Sequence, residues 1–290
     1  MSAPPTAALS ETATPVSADP VSAAGFASLA ALVRARSGLA LGEDKIYLLE
    51  SRLGPLMRRE RLAGLDALAV RLRQPAQEHL ADAVVDALTT NETLFFRDTH
   101  PFAHVRERAL PRLHAARQPG QGLRIWSAAA ATGQEAYSLA MIVAELAALL
   151  GSRRVEIIAT DIARAPLARA AAGLYSQFEV QRGLPIQMLM RHFAREDEGW
   201  RIKPALRAMV RFEQRNLLGD LRPLGTFDLV FCRNVLIYFD APTKARALEA
   251  ITAQMAPDAL LYLGGAETTI GLTDRLVPVP EAHGIHALRR

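Results

Sequence analysis

Residues 123–150, LRIWSAAAATGQEAYSLAMIVAELAALL, restrict what this chain can fold into more than any other stretch. A short apolar run passes through small residues to Gly133 and enters a helical pattern whose first turn carries Glu135. Small side chains let a backbone approach a ligand, and a helix N-terminus offers free amide donors. This is the strand, loop and helix of a nucleotide-type cofactor site. The loop at 127–135 lacks the Gly-Lys-Ser/Thr ending of a P-loop, and Gly133 stands alone where a dinucleotide fingerprint has three glycines. Close backbone approach without a pyrophosphate cradle favours a cofactor lacking phosphate, of which S-adenosylmethionine is the obvious one.

Downstream, strands and helices alternate. Strands are expected at 123–128, 155–160, 210–214, 227–232 and 259–263, with 284–288 adding a last one. Helices are expected at 136–150, 166–172 and 243–255. That alternation predicts an α/β domain with a parallel sheet wound on both faces, in which ligands sit at the carboxyl ends of the strands. Asp161, Asn216, Arg233 and Asn234 fall at those ends. Asp161 is placed to accept hydrogen bonds from ribose hydroxyls or to cap the following helix. Glu135 is placed to pair with the cofactor's ammonium or to complement the helix dipole. Residues 177–208 interrupt the alternation. The turn REDEGW at 195–200 predicts a small inserted hairpin, either a plain surface loop or a binding element.

Residues 23–89 read as a helical domain: a helix at 26–36 ended by Gly38, a second from Glu43, and two more near 65–73 and 77–88. Ile46, Leu49, Leu53 and Leu56 recur at helical spacing and are expected to face a core, and Pro55 to kink or break their helix. Lys45, Arg52 and Arg59 share one face, with Arg58 beside it. That face is either solvated or a docking surface for an acidic partner. Between the domains, TTNETLFFRDTHP at 89–101 sets Asn91, Glu92, Thr93 and Arg97 beside Leu94, Phe95 and Phe96. A helix start capped by Thr90 or Asn91, and a pocket wall, are equally consistent with it. Residues 1–22, rich in Ala, Ser, Thr and Pro, are expected to be a disordered tail.

Composition narrows the class. A net charge of +4 is a mild basic bias, and no basic cleft with interleaved aromatics points to nucleic acid. Cys232 is the only cysteine, which excludes intrachain disulfides and cysteine-rich zinc sites and suits a reducing cytoplasm. His100, His104 and His114 have no convincing metal-ligand partners, so no metal is expected. The most apolar helix, at 136–150, is too short to span a bilayer and contains Glu145, so no membrane insertion is expected.

Four segments resemble the chemotaxis-receptor glutamate methyltransferases, the CheR family. They are TNETLFFRDTHPF at 90–102, RIWSAAAATGQEAYSLA at 124–140, IIATDI at 157–162 and FDLVFCRNVLIYF at 227–239. The resemblance implies a Rossmann-like S-adenosylmethionine methyltransferase domain over 105–290, with a small inserted β-subdomain at about 177–208. It is reached through a linker at 90–104 from the all-α N-terminal domain. It implies that Asn91, Thr93 and Arg97 line the cofactor and that Glu135 and Asp161 hold its amino-acid and ribose parts. Asn216 and Leu217 would sit beside the adenine, and Arg233 and Asn234 near the methyl group. Arg97 and Tyr238 would be the catalytic pair nearest the transferred methyl.

The implied substrate is a glutamate side chain on the cytoplasmic helical domain of a chemoreceptor. The products are a glutamyl methyl ester and S-adenosylhomocysteine, made by a cytoplasmic monomer. Lys45, Arg52, Arg58 and Arg59 become the substrate-docking face. Family members can bind a receptor's C-terminal pentapeptide by strand addition to the subdomain. The connection around Glu196 to Trp200 is short beside those members, which implies a peptide-independent enzyme. LGGAET at 263–268 departs from the family's more usual Gly-His-Ser-Glu run and puts a local role there in doubt. The alternatives are a same-fold methyltransferase acting on another protein or a small molecule in a non-flagellar pathway, and a non-catalytic docking module. The intact set of Arg97, Glu135, Asp161 and Tyr238 argues against the module.

Overall fold

The computed structural model describes residues 21–289. By its contacts the chain divides into two compact units. One takes the residues up to Leu32 with Leu41–Leu88, and the other takes Val33–Ala40 with Thr89–Arg290.

The first unit is helical: α1 (Ala23–Ser37, as far as Leu32), a 3-10 turn (Glu43–Lys45), α2 (Ile46–Arg59), α3 (Leu65–Leu72) and α4 (Glu78–Leu88). Leu49, Leu53 and Leu56 of α2 are buried, as their spacing predicts, and Ile46 is only half-buried. Each fully buried leucine contributes roughly 1.5–3 kcal/mol. Of the two outcomes expected at Pro55, a break does not occur: α2 runs through it. Pro55 and Ser51 are both exposed, so the Ser51 carbonyl that loses its partner can turn to water. The expected disordered tail lies outside the described residues except at its end. There Ser22 is ordered, its hydroxyl donating to Asp66 Oδ1 at 2.6 Å and its amide to Oδ2 at 3.0 Å.

The second unit is built on a seven-stranded sheet in the order β6-β2-β1-β7-β8-β10-β9. Its strands are β1 (Leu123–Ala128), β2 (Val155–Asp161), β6 (Val210–Gln214), β7 (Phe227–Cys232), β8 (Met255–Leu263), β9 (Leu276–Pro278) and β10 (Ile285–Leu288). The β6-β2-β1-β7-β8 run is parallel. β10 and β9 pair antiparallel, so the sheet is mixed rather than wholly parallel.

Alternate residues of each strand face opposite sides, and a core lies on each. Ile125, Leu229 and Phe231 pack with α5 (His100–His104), α6 (Leu110–Ala116) and α7 (Gln134–Glu145). Trp126, Val230 and Cys232 pack with Ala247, Leu248 and Ile251 of the helix Ala241–Thr252. Trp126 belongs to this core, donating to Thr160 Oγ1 at 2.9 Å and stacking on Phe227.

Residues 90–99 are irregular, so no helix begins at Thr90 or Asn91. The helices just before β1 are not among the expected elements, and their run contains Pro101 and Pro111. Pro101 sits in a first turn, where no N–H is needed, and Pro111 directly follows a π-helical turn over Val105–Ala109 that joins α5 to α6 in one continuous run. The insertion is more than a hairpin. β4 (Phe193–Glu196) and β5 (Gly199–Ile202) pair across Asp197 and Glu198, and β3 (Leu174–Tyr175) adds to β5. Short helices at Gln177–Gln181, Ile186–His192 and Pro204–Arg207 surround them.

Candidate active site

β1 lies between β2 and β7, while the chain leaving β1 returns first to β2. The sheet order therefore reverses beside β1, and a crevice opens at the carboxyl ends of the strands. A pocket of about 930 Å³, open solvent at its mouth included, fills that crevice. Its floor is Ala129, Ala131 and Glu135 after β1, and Asp161 and Ile162 after β2. Arg215, Asn216 and Leu217 follow β6, and Arg233, Asn234, Val235 and Tyr238 follow β7. Asn91, Glu92, Thr93 and Arg97 supply another wall. All nine residues expected to bind the cofactor line this one pocket, together with Tyr238.

The loop after β1 is forced into shape. Ala129 and Ala131 adopt φ of +57° and +48°, and Gly133 +91°. Two non-glycine residues in the left-handed region persist only where their surroundings hold them. Asp161 does so, Oδ2 accepting from Ala131 N at 2.8 Å and Oδ1 from Ala163 N at 2.9 Å. Glycine is required at 133, where a Cβ would stand 2.8 Å from Ala170 Cβ. Asp161 gives no side-chain cap to the next helix, Arg164–Ala172, so the capping alternative is set aside.

Glu135 is buried under the loop. Oε1 accepts from Ser127 Oγ at 2.8 Å and Oε2 from Arg233 Nη1 at 3.1 Å. Burial holds its carboxyl above the ordinary range, against the lowering pull of Arg233 and Ser127. Arg233 has a side chain only 2 % exposed. It also donates to Asp98 Oδ2 at 2.6 Å and to the Arg97 carbonyl at 3.0 Å, and lies over the Phe102 ring. One cation thus joins the loop after β7, the helix after β1 and the segment 97–98.

That segment is strained as well, with positive φ at Phe96, Asp98 and Thr99. It is anchored by Phe96 N, which donates to Ser138 Oγ of α7 at 3.0 Å. Arg97 Nη1 donates to the Glu92 carbonyl at 3.2 Å. The Tyr238 hydroxyl has no protein partner among the described residues.

Several lining residues escape the sequence reading. Ser37 and Leu39 reach the pocket because the Arg36 carbonyl takes Asn216 Nδ2 at 2.5 Å and Ala40 N donates to the Tyr238 carbonyl at 2.9 Å. In the sequence they look like an ordinary helix end, and Gly38, at φ +79°, is the expected terminator. Arg215, Val235 and Phe239 adjoin named residues, but side-chain direction at a strand end has no local signal. Glu267, in the stretch thought to lack a role, accepts backbone bonds from the loop after β7.

The basic residues lie elsewhere, in the first unit. Lys45 sits in the 3-10 turn rather than on α2, and Arg58 and Arg59 are exposed. Arg52 is half-buried, its Nη1 donating to the Leu88 carbonyl at 2.8 Å, so it ties two helices instead of standing free on the face. His104 meets the Tyr262 hydroxyl and His114 accepts from Arg153. Among the described residues no group of three or more metal-ligating side chains occurs, and no helix is long and apolar enough to cross a membrane.

A cofactor with an ammonium, a ribose and a carboxylate suits this donor set. Glu135 and Asp161 are acceptors lining the pocket, and Arg233 and Arg215 each keep a buried Nε–H without an acceptor among the described residues.

Comparison with known proteins agrees. Residues 91–285 match the family model for the CheR methyltransferase SAM-binding domain, and residues 24–89 that for its all-alpha domain. The chain is 44% identical over 252 residues to chemotaxis protein methyltransferase 1 of Pseudomonas aeruginosa, covering 86% of this chain and 91% of that protein. It is 41% identical to chemotaxis protein methyltransferase Cher2 of Pseudomonas putida, with the same coverage. A chemotaxis protein methyltransferase of Vibrio parahaemolyticus is 38% identical over 84% of this chain and 88% of its own. The chain therefore belongs to the CheR family of S-adenosylmethionine-dependent methyltransferases that act in chemotaxis.

Proposed function

We propose that the chain methylates glutamate side chains on the cytoplasmic helical domain of chemoreceptors, releasing glutamyl methyl esters and S-adenosylhomocysteine. The observation that carries this reading is that Arg97 and Tyr238 both line the pocket that Glu135 and Asp161 also line. When bound, the cofactor supplies a methyl group activated by its sulfonium.

A glutamate is ionised at neutral pH, so its oxygen needs no general base. The protein has to desolvate that carboxylate and align it. Arg97 anchors the carboxylate, and Tyr238 donates to it. Neither grips the nucleophilic oxygen hard, since that would slow its attack. Glu135 takes the cofactor's ammonium and Asp161 its ribose. Asn216 and Leu217 flank the adenine, Asn91 and Thr93 close the linker side, and Arg233 with Asn234 completes the wall near the methyl group.

The chain acts as a cytoplasmic monomer. In the first unit, Arg58 and Arg59, the exposed pair, with Lys45 nearby, form the face that meets the acidic receptor helix, and Arg52 supports it from behind through its bond to the Leu88 carbonyl. The two-residue turn at Asp197 and Glu198 supports docking that does not need a receptor tail peptide.

Incubation with methyl-labelled S-adenosylmethionine and receptor cytoplasmic fragments tests the chemistry. A base-labile label on protein is expected. A base-stable label indicates a different acceptor, and no label indicates a docking module. Arg58→Glu/Arg59→Glu is expected to weaken methylation at low salt, and salt-insensitive methylation of the native protein would remove the docking face. Micromolar binding of a receptor tail peptide would overturn peptide independence.

A further inference from the structure

We propose that Glu267 is a positioning residue for this site, setting the pocket wall after β7 through its backbone. The inference rests on reading the pocket as the cofactor and substrate site.

β7 ends at Cys232, and the chain must turn sharply to bring both Arg233 and Tyr238 to the pocket. It does so through Asn234 at φ +58°. The turn leaves three successive N–H groups, of Asn234, Val235 and Leu236, pointing into one concavity. Such a concavity holds an anion well. The Glu267 carboxylate fills it: Oε2 accepts from Asn234 N at 2.9 Å, and Oε1 from Val235 N at 2.9 Å and Leu236 N at 2.7 Å. A fourth donor, Gly264 N, reaches Oε2 at 2.6 Å. Each carboxylate oxygen therefore takes two backbone donors.

Space around the clamp is tight. A Cβ at Gly264 would stand 2.8 Å from Glu267 Oε2 and 3.0 Å from Asn234 N, so a side chain there displaces either the carboxylate or the turn. Glu267 does not line the pocket. Its effect passes through the turn: with residues 234–236 held, Arg233 is aimed back at Glu135 and Asp98, and the 3-10 turn Leu236–Tyr238 presents Tyr238.

The test uses the full chain and two variants. Glu267→Gln keeps the shape but turns one acceptor oxygen into a donor facing two N–H groups. Gly264→Ala keeps every donor and acceptor and perturbs the clamp from outside. S-adenosylhomocysteine binding is measured by titration calorimetry, with kcat, the KM for S-adenosylmethionine and the thermal midpoint alongside. In Glu267→Gln the dissociation constant and KM should both rise about tenfold, the scale of a lost hydrogen bond to a charged group, with binding stoichiometry unchanged. Gly264→Ala should raise both in the same direction by less.

A merely structural role would lower the thermal midpoint, the stoichiometry and kcat together while leaving both constants at their native values, and that result overturns the proposal. If Glu267→Gln does not fold, Gly264→Ala decides alone: native constants there overturn it. A native chain that binds no S-adenosylhomocysteine overturns the reading of the pocket, and this inference with it.

Discussion

Two loops of the pocket solve the same problem with different visibility. The loop after β1 carries Ala129 and Ala131 in the left-handed region, and the loop after β7 carries Asn234 there. Each is held by a carboxylate about one strand away. Asp161, 30 residues from Ala131, holds the first, and Glu267, 33 residues from Asn234, holds the second. Sequence distance is nearly the same, but regularity is not. Asp161 is the last residue of an apolar strand, so its place at the ligand edge follows from strand register. Glu267 lies four residues past β8, in a turn with no periodicity. A carboxylate's place at the pocket can be read from sequence when it rides on a regular element and is invisible when a turn carries it, while the clamping role of both acids comes only from the structure.

The clamps also differ in reach, since Asp161 lines the pocket and Glu267 does not. Asp161→Ala should therefore be the most damaging change. It removes two backbone bonds and the proposed ribose contact, and S-adenosylhomocysteine affinity should fall at least about a hundredfold by calorimetry. A loss no greater than that in Glu267→Gln would break the distinction.

Next comes a split between cofactor and substrate sides. Tyr238→Phe and Arg97→Ala should each lower kcat about tenfold and leave S-adenosylhomocysteine affinity within about twofold. Parallel loss of affinity and turnover would show that these walls serve the cofactor instead.

Glu135 offers a pH test. Its folded-state carboxyl is raised by burial, so protonation favours the folded ligand-free protein. Its burial costs stability at neutral pH, and that cost is relieved as pH falls through the raised value. Binding an ammonium needs the ionised form, so affinity moves the other way. S-adenosylhomocysteine should bind more weakly on acidification, beginning above the ordinary carboxyl value of 4.5 and by up to about tenfold per pH unit. Glu135→Gln should bind weakly with that dependence removed. Thermal scans and titrations between neutral and mildly acid pH check both signs.

The smallest effect compares the loops' strain directly. Ala131→Gly relieves an alanine at φ +48°, whereas Asn234→Gly relieves a residue type that tolerates the region. The first should stabilise the fold more than the second, by about 1 kcal/mol or less, read as the higher thermal midpoint. Equal shifts would mean that the loops are equally strained.

Much of the sheet was legible. β1, β6 and β7 match their expected ranges, β7 because its apolar, aromatic run ends at a clear polar signal, Arg233-Asn234. β9 was not, since Leu276–Pro278 is three residues ending in proline, tolerable only at an edge. The site was legible wherever its residues ended a predicted strand, as Asp161, Asn216 and Arg233 do. Ser37 and Leu39 had no such marker, because they reach the pocket through bonds from their neighbours Arg36 and Ala40 to Asn216 and Tyr238, far away along the chain.

The sequence by itself determined the alternation of elements, the absence of a P-loop lysine and the acids at Glu135 and Asp161. Those follow from local periodicity and residue chemistry, and they specify a phosphate-free cationic cofactor. Only the tertiary structure decided that Arg233 bridges Glu135 and Asp98, that Arg52 is tied to Leu88, and that Glu267 holds the wall after β7. Such pairings depend on which side chains the packed sheet brings within about 3 Å of one another. No pattern along the chain encodes that distance.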